Sequence, residues 1–191
     1  MAESGLHIYL DKIPFSEGGA FWVSFESHPR LQKSKANIYE RCLPCIQNLY
    51  YQLKDGLDEI DLGRAYVCWK VTAVVPTLED ALCLLAQMEK DPPLDYIYGK
   101  LGTGKSATAT KAVVFHAEGM KERELLEQAL RNYASRAELK ILDLIVSRGC
   151  ASLHEELFGP WNRWGPATRV KHPDKVPEIL EKIKKMLFWW D

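Results

Sequence analysis

The sequence predicts an α+β fold. From residue 64 to 147 strand and helix signals follow one another in the order β-α-β-β-α-β, and the composition, 47% hydrophobic and 27% charged over 191 residues, is that of a globular chain long enough to bury a sizeable core. That order is the one found in the ferredoxin-like split βαβ core, an antiparallel sheet with helices packed on one face. The expected organisation is a single α+β domain over 1–191, with its core at about 64–147. Residues 1–63 form an N-terminal elaboration with extra strands, and residues 148–191 form a C-terminal helical arm.

Each element has its own signal. Leu6 to Leu10 and Phe21 to Phe25 read as short strands joined through Pro14 and Gly18-Gly19. In the second, Phe21, Val23 and Phe25 share one face and Trp22 and Ser24 the other. A basic stretch, His28 to Lys35, leads from a possible Ser34 cap into a helix bearing Tyr39, Cys42, Leu49, Tyr50 and Leu53. Pro44 lies inside it and is expected to kink or restart it, because proline lacks the N–H and clashes with the preceding turn. Ala65, Val67, Trp69, Val71, Ala73 and Val75 alternate as in a central strand.

Thr77 and Asp80 have the spacing of a capping box and open a helix whose expected apolar stripe is Leu78, Leu82, Leu85 and Met88. Pro92-Pro93 ends it. Leu94 to Tyr98 and Lys111 to Ala117 follow as strand candidates. A helix is then expected from Met120 to Ala137, with Leu126, Ala129, Leu130 and Tyr133 on one face, and a strand over Leu139 to Val146. In the tail, Gly159 to Pro166 is rich in turn residues and tryptophan. Pro177 opens a last helix carrying Leu180, Ile183, Leu187 and Trp190.

A net charge of −1 gives no overall pull toward nucleic acid or an anionic membrane surface. No apolar run approaches the ~18 residues of a membrane-spanning helix, and the first residues lack a secretory pattern. Five cysteines, an odd number without a regular framework, fit reduced thiols better than a disulfide scaffold. The expected location is the cytoplasm.

Gly99-Lys-Leu-Gly-Thr-Gly-Lys-Ser106 matches the phosphate-loop pattern G-x-x-x-x-G-K-[ST]. In a nucleotide site the backbone around Gly99, Gly102 and Gly104 would cradle phosphates, Lys105 would neutralise them and Ser106 would hold magnesium, with a helix opening at Lys105. The competing reading is an antiparallel hairpin whose glycines supply a flexible turn. The hairpin is preferred, because Lys111 to Phe115 is β-branched and aromatic, too little chain follows for a parallel sheet, and Asp143 lies inside its strand rather than at the end.

Cys42-Leu-Pro-Cys45 has redox spacing but sits within a broken helix on an apolar face, where buried structural thiols are the usual outcome. A zinc site completed by Cys150 and His154 lacks a second close pair, so no metal is expected. His116, Glu118, His154, Glu155 and Glu156 are a loose acid–base set for which surface solvation is preferred. Trp161 and Trp164, with Arg163, Arg169, Lys171 and Lys175, interleave aromatics and charge as single-strand binders do, although tryptophan packing and the near-neutral total argue against nucleic acid.

The sequence therefore points to a non-catalytic binding or assembly module of unknown ligand, with no catalytic residue assigned and no cofactor expected. The alternatives are a magnesium-nucleotide protein using Gly99 to Ser106 and a thiol-disulfide protein using Cys42 and Cys45. Trp189 and Trp190 point about 100° apart on a helix, so one needs a second surface. The expected partner is a homo-oligomeric or other protein, meeting the sheet face or the tryptophan-rich arm.

Overall fold

Alternation over residues 68–75 becomes a strand in which every second residue is buried, and the rest of a six-stranded sheet is laid out around it. The computed structural model describes residues 7–9, 22–27, 33–102, 110–136, 139–148 and 151–187. The fold is mixed α+β. In chain order the elements are β1 (His7–Tyr9), β2 (Trp22–Glu26), α1 (Lys33–Lys54), β3 (Glu59–Asp61), α2 (Arg64–Val67), β4 (Cys68–Val75), α3 (Leu78–Lys90) and β5 (Tyr98–Gly102). There follow β6 (Lys111–Glu118), α4 (Met120–Arg136), β7 (Asp143–Arg148), α5 (Ala151–Phe158), β8 (Ala167–Arg169) and α6 (Val176–Leu187). Among the described residues no helix is long and apolar enough to cross a membrane.

The chain divides into two compact units, Met1–Ile38 with Trp69–Val146, and Tyr39–Cys68 with Ser147–Asp191. The first holds the large sheet, in the order β1-β2-β5-β6-β4-β7. Its β1–β2, β2–β5 and β5–β6 pairs are antiparallel. Alternate residues Val23, Phe25, Leu101, Val113 and Phe115 fall on one face and are buried. Phe25 and Phe115 meet edge-on with ring centroids 5.4 Å apart. Both α3 and α4 contact β6, and Arg123 of α4 lies over the Trp69 ring at 5.1 Å.

Helix α3 starts as its sequence predicts. Thr77 Oγ1 accepts from the Asp80 N–H at 3.1 Å, and Asp80 Oδ2 accepts from the Thr77 N–H at 3.2 Å, completing the capping box. Its buried face differs from the expected stripe: Ala81, Leu84, Leu85 and Met88 are buried, while Leu78 and Leu82 are 45% and 43% exposed. Leucine fills more than one face of this helix, so spacing alone does not select the inward one. Helix α4 buries Leu126, Leu130 and Tyr133, and the Tyr133 hydroxyl donates to the carbonyl of Asp91, the C-cap of α3.

Strand boundaries also move. The alternation from Ala65 to Val75 covers two elements, because Ala65 to Val67 belong to α2; Ala65 is buried in the second unit's core and Val67 is 52% exposed. β5 begins at Tyr98 and ends at Gly102, later than the predicted Leu94 to Tyr98. β7 likewise runs later than Leu139 to Val146, and Asp143 opens it.

The second unit has its own core, in which Cys45, Ile46, Leu49 and Leu53 of α1 meet Ile60, Leu62, Leu153, Leu157, Phe158, Trp164, Ile179 and Ile183. Helix α1 continues through Pro44, and burial of its C-terminal half offsets the ~3 kcal/mol a mid-helix proline costs. Gly56, at φ 76°, ends it where a side chain would be strained. The Gln52 side chain then works as a strand edge for Asp61: Oε1 accepts from the Asp61 N–H at 2.8 Å and Nε2 donates to its carbonyl at 2.9 Å. β3 pairs antiparallel with β8, burying Ile60 against Thr168. The C-terminal elements thus complete a core with residues 45–65, rather than standing as an arm.

Candidate functional site

The polar face of the large sheet gathers most of the first unit's chemistry. Strand alternation puts Ser24 and Glu26 of β2, Tyr98 and Lys100 of β5, and Val114 and His116 of β6 on the face opposite Phe25 and Phe115. Glu26 is fully buried, and Tyr98 and His116 are each 3% exposed. The Tyr96 hydroxyl donates to Glu26 Oε2 at 3.3 Å. The rings of Tyr96, Tyr98 and His116 form a near-parallel row, with centroids 4.9 Å and then 5.5 Å apart. Glu26 and Tyr96 are joined by that hydrogen bond and Tyr98 and His116 adjoin them by ring stacking, and at this burial a solute reaches the group only by displacing what covers it. The sequence signals were a Tyr-x-Tyr pair and a glutamate on the polar side of a strand, neither of which stands out from ordinary alternation.

The predicted phosphate loop lies at the end of an antiparallel strand pair. Gly99 pairs with Phe25 on one side and Phe115 on the other, and Gly102 pairs with Trp22 and Ala112. A Cβ on Gly99 would lie 2.0 Å from the Val114 carbonyl oxygen and 2.6 Å from Phe25 Cζ, so this glycine serves close packing inside the sheet. Gly104, Lys105 and Ser106 lie outside the described residues. Beyond them Lys111 to Glu118 is strand, where a phosphate loop would be followed by a helix.

Cys42 lies in α1, its side chain outside the described residues, and Cys45 is 4% exposed in the second unit's core. Cys150, Trp189 and Trp190 are outside the described residues. His116 and Glu118 fall on β6 of the first unit, whereas His154, Glu155 and Glu156 fall on α5 of the second. His154 is 1% exposed, packed beside Phe158 and Trp164. Burial raises the Glu118 carboxyl above its usual range, with a further push from the Glu122 carboxylate. Trp164 is buried, its indole N–H donating to the Gly159 carbonyl at 2.9 Å, and Trp161 packs against the same core. Among the described residues no three His, Cys, Asp or Glu side chains gather into a metal-binding group.

The accessible feature is the far edge of the sheet. β7 has β4 as its neighbour and stands last in the strand order among the described residues. Leu142 and Ile145 are 44% and 46% exposed. Beside the strand an open groove of about 700 Å³ is lined by Arg131, Ala134 and Ser135 of α4 and by Ile141, Leu142, Asp143 and Leu144. The hydrophobic run of this segment was legible, but its position at an edge depends on strand order, which a sequence does not carry. No family model matches the chain, and neither a curated protein nor a solved structure matches it significantly.

Proposed function

We propose that the chain is a non-catalytic binding or assembly module that engages another protein through the β7 edge of its sheet. One observation carries this reading: a six-residue edge strand with Leu144, Ile145 and Val146 at its centre, whose charges stand at its ends, Asp143 and Arg148. An edge strand offers a row of backbone N–H and C=O groups, and proteins that leave such an edge unused blunt it with proline, an inward charge or a short strand. The opposite edge, β1, is three residues long. β7 carries one of these devices, the buried charge of Arg148 at its far end, and none over Leu144 to Val146.

The finer fold reading is a ferredoxin-like core. Its support is that each strand-helix-strand unit is split by a strand of the other: β6 lies between β4 and β5, and β4 lies between β6 and β7.

Hydrogen exchange on the whole chain at low concentration tests the module reading. Outward-facing β7 amides are expected to exchange far faster than those of β6. Slow exchange along all of β7 in the dilute chain would mean the edge is already covered, and the reading falls. The nucleotide alternative has its own test: stabilisation by ATP or GTP with magnesium that vanishes in Lys105→Ala would replace the module reading.

A further inference from the structure

We draw no further inference here: the strongest candidate, the open groove between α4 and residues 141–144, adjoins the β7 edge already described, and nothing among the described residues shows what covers it.

Discussion

The two units reach similar burial by opposite routes. Apart from β1, β2 and the first residues of α1, the first is one uninterrupted run, Trp69–Val146, in which strands and helices follow each other locally. The second is assembled from two distant runs, Tyr39–Cys68 and Ser147–Asp191, and its core depends on Leu49 and Leu53 of one meeting Phe158 and Ile183 of the other. Periodicity reports what a residue's near neighbours do, so it serves the first unit well and the second poorly.

Truncating the second core probes that contrast with the largest effect. Phe158 is fully buried, and Phe158→Ala should cost about 3–5 kcal/mol. Native-state hydrogen exchange should then show residues 39–68 and 151–187 losing protection before 69–146. Equal loss in both units would mean that the two cores unfold as one, and the comparison would break.

Next in size is Gly99→Ala in the sheet. The new methyl meets a backbone oxygen and the Phe25 ring, so a loss of about 1–3 kcal/mol in urea unfolding is expected from overpacking. A neutral result would mean that β5 and β6 separate more easily than their pairing implies. Thr77→Ala removes one half of the capping box and should lower stability by ~1 kcal/mol, read by the same titration, without changing second-unit exchange.

The smallest effect concerns Glu118. Its carboxyl is raised in the fold, first by burial and then by Glu122, so the folded chain binds a proton there more readily than the unfolded chain. Stability from this group therefore rises as pH falls from neutral into the range just above its ordinary value of 4.5. Glu118→Gln should be the more stable protein at neutral pH by a few tenths of a kcal/mol, with the gap closing on acidification. A gap independent of pH would assign the difference to lost packing.

Much of the first unit was legible. The Thr77 box, the α4 face of Leu126, Leu130 and Tyr133, and the alternation of β4 all follow from local rules. What was lost required knowing which core a residue enters. Ala65 fits the β4 alternation yet is buried in the other unit, and Leu78 and Leu82 satisfy helical spacing on a face that stays exposed. The Glu26, Tyr96, Tyr98 and His116 row depends on register across three strands, and the β7 edge depends on strand order. Both are set by long-range pairing, to which the spacing of residues along one strand is blind.

The split construction of the second unit also orders events during synthesis. When a ribosome has made the first 146 residues, the sheet unit has all its segments, but Leu49, Leu53, Ile60 and Leu62 still lack the α5 and α6 residues that bury them. Until translation moves some forty residues further, the nascent chain carries an unfinished apolar surface, which is where a chaperone would be expected to hold it.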